Sequence, residues 1–193
     1  MKNVEKVKVV LTFQTPQEFS IWLAKNHAKS SGVWARIFKK ASDKKGITYA
    51  EALDEALCYG WIDSLKKKYD ADSYIQKFSP RKPKSVWSKI NTDHVVRLTK
   101  AKRMKPAGLA VVLAAKTDGR WADAYESSAT MEIPSDFLAE LKKDKKAQAF
   151  FDTLNRANIY AIGWRLQTAK KPETRAKRMD AILAMLKLGK KFH

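Results

Sequence analysis

Apolar residues recur along this chain at two spacings, and the alternation between them outlines the fold. Phe19, Trp22 and Leu23 fall on one helical face behind a start signal of Thr15, Pro16 and Glu18. Thr48 and Glu51 form a Thr-x-x-Glu capping box ahead of Leu53, Ala56 and Leu57, and Gly60 ends that helix as a left-handed cap residue would. Strand signals lie around these helices. Residues 6–13, KVKVVLTF, are a short run with β-branched residues. In GVWARIFKK, residues 32–40, Val33, Ala35 and Ile37 alternate with Trp34, Arg36 and Phe38, which favours a strand over a helix. WIDSLKKKY and SYIQKF are rich in β-branched and aromatic residues and are joined by Asp70, Ala71 and Asp72, so they predict a β-hairpin. The following SPRKPKS holds two prolines and should be an ordered loop carrying Arg81, Lys82 and Lys84.

From Ser85 onward the pattern is helical. Val86–Ile90 reads as one short turn, and Asn91 or Thr92 should cap a helix bearing Val95, Val96, Leu98 and Thr99. Pro106 can open the next, with Leu109, Val112 and Leu113 as its expected buried face. Residues 117–134 have the composition of a linker. Beyond them Ser135 is expected to cap a helix with Phe137, Leu138 and Leu141. Asp144 should cap another, with Ala147, Phe150, Phe151 and Leu154 at i, i+3, i+4 and i+7. Two more helices follow, over Asn158–Ala169 and from Pro172, the last turning Ala176, Met179, Ile182, Leu183 and Leu186 inward. The predicted fold is α+β and predominantly helical. A small N-terminal β-sheet with a hairpin and helices occupies residues 1–128, and a C-terminal helical bundle occupies 129–193.

Charge changes the picture more than composition does. The net charge of +19 is concentrated at the ends: residues 1–50 and 151–193 each carry an excess of seven positive charges, against three in 51–100 and two in 101–150. Such a surface attracts polyanions through counterion release and steering, although scattered lysines also serve solubility alone. The start of the chain has no apolar run of signal-peptide length, and no stretch approaches a membrane span, so a soluble cytoplasmic protein is expected. The single cysteine, Cys58, agrees with that compartment and reads as a small buried apolar residue.

Catalytic and cofactor motifs are missing from the sequence. His27, His94 and His193 are not paired at ligand spacing, so no metal and no cofactor is expected, and His27 reads as a solvated helix end. There is no phosphate-cradling glycine loop and no nucleophile elbow. Glu51 and Glu55 share a helix face, where a Lys or Arg partner is the favoured explanation over an acid and base pair. The stretch richest in chemistry runs from the hairpin to the next helix: Trp61, Asp63, Arg81, Lys84, Ser85, Trp87, Ser88 and Asn91. Indoles beside cationic groups and a helix start would suit an anionic or planar ligand. The competing reading makes the tryptophans core and Asp63 with Arg81 an ion pair.

ITYAEALDEALCYGWIDSLKKKYD, FSPRKPKSVWSKIN, RMKPAG and the C-terminal AKKPETRAKR resemble the YdeI/OmpD-associated family of bacteriocin-protection proteins. The residues matching the C-terminal signature include Lys170, Lys171, Arg175 and Arg178, which offer a basic partner surface at a helix start. The resemblance implies protection against bacteriocins or cationic antimicrobial peptides and no established reaction. A chain this positive repels cationic peptides at long range, so an indirect role through a small anionic ligand or an acidic protein is expected. Nucleic-acid binding by the basic N- and C-terminal segments is the alternative, and an enzyme of unknown reaction near Glu55, Asp63 and Arg81, with Cys58 close by, is the second alternative.

Overall fold

The computed structural model describes residues 9–127 and 129–193, and the described chain divides into two compact units. Met1–Ser85 and Asn91–Ala122 make the first; Val86–Ile90 and Asp123–His193 make the second. Helices cover 47% of the described residues, so helix is the largest class without being a majority.

The first unit contains a four-stranded sheet in the order β1-β2-β4-β3, built from β1 (Val10–Leu11), β2 (Val33–Phe38), β3 (Trp61–Lys68) and β4 (Ser73–Pro80). β1 runs parallel to β2, and the other pairs are antiparallel. The expected hairpin is β3 and β4. Its turn is held by Asp70, whose Oδ1 accepts from the Ser73 backbone N–H at 2.7 Å and from the Asp72 N–H at 3.0 Å. The strand expected over 6–13 begins outside the described residues; within them β1 is two residues long. Helices α1 (Pro16–Asn26) and α2 (Tyr49–Cys58) start at the predicted caps, Thr15 and Thr48, and α2 carries the full capping box with Glu51. At Gly60, with φ of +74°, the chain turns from α2 into β3, and an added Cβ would stand 2.8 Å from Val111 Cγ2. The core is rich in rings: Phe19 stacks on Trp22 and meets Phe13 and Phe78 at a tilt, and Trp22 meets Trp61 edge-on.

Helix α3 (Lys89–Lys100) begins earlier than either expected cap, Asn91 or Thr92, and leaves Val96 exposed. Helix α4 (Pro106–Thr117) corrects a second expectation. Leu109 and Leu113 are exposed, and the buried stripe is Gly108, Val112 and Ala115. Small residues face inward because α4 lies directly on the end of α2: a Cβ at Gly108 would fall 2.2 Å from the Cys58 carbonyl oxygen. Close backbone approach there outweighs the burial of two leucines.

The second unit is helical among its described residues. It holds α5 (Ser135–Leu141), α6 (Lys145–Phe151), α7 (Arg156–Gln167) and α8 (Pro172–Lys187) around Phe137, Leu141, Ile162, Leu166, Ile182 and Leu186. Asp144 caps α6 as expected, accepting from the Lys146 and Ala147 N–H groups. Ser135 is the first residue of α5 rather than its cap, and Ala176 faces solvent. The cap of α7 is Asn155, which frees Asn158 for the interior. There Asn158 Oδ1 accepts from the backbone N–H groups of Phe192 and His193 at 3.0 and 3.1 Å, anchoring the C-terminal segment beside α7.

Candidate functional site

The residues expected to form a ligand cluster are distributed over both units. Trp61, Asp63, Arg81, Lys84, Ser85 and Asn91 belong to the first, Trp87 and Ser88 to the second. Trp61 and Trp87 each expose 1% of their surface, so neither offers a ring face to a ligand. The Trp61 indole packs on Trp22 and its Nε1–H donates to the His27 carbonyl at 3.2 Å. Asp63, two positions along β3, accepts from the Tyr49 hydroxyl at 2.9 Å. Burial, and then the Asp63 charge and hydrogen bond, push the Tyr49 hydroxyl well above the ordinary tyrosine range. Arg81 is buried, with its backbone N–H on the Gly60 carbonyl. Lys84 is exposed, and the Ser85 hydroxyl donates to the Lys82 carbonyl. Ser88 is bridged to Tyr125, and Asn91 lies half-buried in the first turns of α3.

The carboxylates of α2 have structural partners. Glu51 serves the capping box. Glu55 is 2.6 Å from Arg103 Nη2, the cation expected beside this pair. Asp54 is a hub that sequence reading missed, with Arg97 at 2.6 Å, His94 at 3.0 Å and Arg103 at 3.7 Å. Partners forty or more positions away leave no local signal. Cys58 is buried, and burial followed by the nearby Glu55 charge pushes its thiol up to about 11, so a reactive thiolate is not favoured at neutral pH. Among the described residues no group of three or more His, Cys, Asp and Glu side chains could hold a metal ion.

Two cavities carry chemistry instead, one in each unit. That of the first unit is a cleft of about 760 Å³ where the loop after β2 faces the starts of α1 and α2. Lys39, Lys40, Lys44 and Lys45 line it, with Phe38, Tyr49 and Tyr74 as apolar walls. Lys39 donates to the Ala71 carbonyl and Lys44 to Asp72, each at 2.6 Å. Lys40 and Lys45 have no carboxylate partner among the described residues. The composition of the loop, with lysines at 39, 40, 44 and 45, was visible in the sequence; what was not visible is that the loop borders a cavity.

In the second unit a cavity of about 450 Å³ opens beside α7 and α8, lined by Trp164, Arg165, Arg178, Ala181, Ile182, Met185 and Phe192. Of the basic residues expected to form a partner surface, Arg178 is the one that reaches this cavity. Arg175 instead forms a two-point bridge to Asp136, at 2.5 and 2.8 Å. That bridge holds the Asp136 carboxyl below the usual carboxylate range. Lys170 pairs with Asp123 at 3.2 Å, and Lys171 is exposed at the start of α8.

The two units also separate in their relationships. Residues 11–111, just over half of the chain, match the family model of a domain of unknown function, DUF8412, and the chain belongs to that family. Residues 130–189 match the model described as bacteriocin-protection, YdeI or OmpD-associated, the family that the sequence motifs resemble. No curated protein and no solved structure matches the chain. No helix among the described residues is long and apolar enough to cross a membrane.

Proposed function

We propose that this chain is a non-enzymatic protective protein of the bacteriocin-protection type, acting in the cytoplasm by binding a small anionic ligand in the lysine-lined cleft of its first unit. The observation that carries the reading is the pair Lys40 and Lys45, two ammonium groups without a carboxylate partner among the described residues at the edge of a cavity large enough for a small molecule. Phosphate-rich anions suit flexible point charges of this kind, which need not match a planar acceptor. Protection by direct capture of cationic peptides is disfavoured by the net charge of +19, because like-charged partners associate slowly and weakly.

Calorimetric titration with inorganic tripolyphosphate tests the reading. Saturable one-to-one binding that weakens about tenfold or more in the Lys40→Gln, Lys45→Gln double variant, a loss of about 1.4 kcal/mol, is the expected result. Unchanged affinity in that variant would show that any binding is diffuse. A second reading, nucleic-acid binding, is favoured by the excess of seven positive charges in residues 1–50, which includes these lysines. Duplex DNA separates the two: several phosphate contacts give a steep logarithmic dependence on salt, and a cleft that holds one small anion gives a shallow one.

A further inference from the structure

The cavity of the second unit is built differently from the lysine cleft, and it carries an inference of its own. Arg165 lies on α7 and Arg178 on α8, and both residues line the same cavity. Arg165 Nη1 donates to the Ala161 carbonyl at 3.0 Å, and its guanidinium carbon lies 3.8 Å from the centre of the Phe192 ring. Arg178 Nη1 donates to the Arg165 carbonyl at 2.8 Å and approaches Thr168 Oγ1 at 3.4 Å. These partners are carbonyls, a hydroxyl and a ring, all neutral. Arg175, by contrast, ends on the Asp136 carboxylate, while Arg156 donates to the Ala129 and Met131 carbonyls away from this cavity's lining.

Two half-buried arginines that line one cavity and rest on neutral partners place positive charge there where solvent screening is reduced. Each group has five N–H donors and uses part of that capacity on the chain itself. The rest of the lining is apolar and aromatic, from Trp164, Ile182, Met185 and Phe192. A ligand that relieves the charge and also fills the cavity must therefore carry an anionic end and an apolar body. The planar fork of arginine matches a carboxylate at two points, which a bare lysine does not.

We infer that the cavity formed by α7, α8 and Phe192 binds a small organic acid, its carboxylate held by Arg165 and Arg178 and its alkyl or aryl body packed on Trp164, Met185 and Phe192. The inference is independent of the lysine cleft, which lies in the other unit.

Titration of the full chain with 2-naphthoate and with octanoate, read by calorimetry, tests it. Saturable binding at one site is expected for one or both acids, and their relative affinities decide between an aryl and an alkyl body. Acetate, which has the charge without the body, and 2-naphthalenemethanol, which has the body without the charge, should each bind at least tenfold more weakly. Arg178→Gln should weaken the acid at least tenfold and leave the neutral alcohol unchanged. Because Arg178 also ties α8 to the Arg165 carbonyl, a second variant guards against misfolding: Ala181→Trp keeps both charges, fills the mouth of the cavity and should abolish acid binding with an unchanged melting temperature. Equal affinity for acid and alcohol, or acid binding that survives both substitutions, would overturn the inference.

Discussion

The two units handle their excess positive charge in different ways. In the first, four arginines are paired with carboxylates, Arg36 with Asp70, Arg97 with Asp54, Arg103 with Glu55 and Arg120 with Asp118, while the cations at the cleft are lysines on a loop. In the second, Arg175 is paired with Asp136, yet Arg165 and Arg178 rest on carbonyls and a phenyl ring inside an apolar cavity. Flexible ammonium groups around an open cleft favour hydrated, highly charged anions. Fixed guanidinium groups among aromatic rings favour an acid that brings its own apolar surface. The difference shows that net charge alone is a poor guide to a partner, because the same excess can be arranged for two kinds of ligand.

The sharpest way to break the first unit is at the contact that shapes it. Gly108→Ala drives a methyl group into the Cys58 carbonyl, a backbone atom that cannot swing away, and should lower stability by about 3 kcal/mol in urea unfolding. A neutral result would mean that α4 can slide off α2 without loss. In the second unit, Asn158→Ala removes the acceptor for two backbone N–H groups and should cost about 2 kcal/mol. It should also loosen Phe192, so the same variant is expected to weaken organic-acid binding. Glu55→Gln, which leaves Arg103 without its closest charge, should cost about 1 kcal/mol, since Arg103 is partly solvated.

The smallest expected effect is in the response to acid. Hydrogen bonds from Ser73 hold Asp70 below the usual carboxylate range, and the Arg175 bridge does the same for Asp136. Depressed carboxylate values contribute stability that is present above the unfolded pKa and is lost as pH falls through the lower, folded one. The melting temperature should therefore be flat near neutrality and fall below about pH 4. In Asp136→Asn the fall should be shallower. An equally steep decline in that variant would assign the acid response to other groups.

Much of the fold was legible in the sequence because its signals are local. The capping box at Thr48, the cap at Asp144, the Asp-Ala-Asp turn of the hairpin and the strand β2 depend on neighbours a few positions away, and each is found where it was expected, although Trp34 is buried together with Val33 and Ala35 rather than alternating with them. The face of α4 was misread because periodicity ranks Leu109 and Leu113 above glycine and alanine, whereas the contact with Cys58 requires the smaller residues. The candidate site was less legible for the same reason. Trp61 and Trp87 stood out by composition, and large rings stand out in sequence whether they line a cavity or fill a core. Arg178 was noticed only as part of a basic helix start. That it shares a cavity with Arg165 follows from the packing of α7 against α8, to which no spacing within either helix points.

The central claim is that two separate cationic cavities bind two chemically distinct anions, and amide chemical-shift mapping of the full chain tests it most directly. Tripolyphosphate should perturb residues 39–51, and 2-naphthoate should perturb residues 161–168, 178–185 and 192, with neither set moving for the other ligand. Shifts spread over lysines throughout the chain with either anion, or one common set for both, would contradict the account.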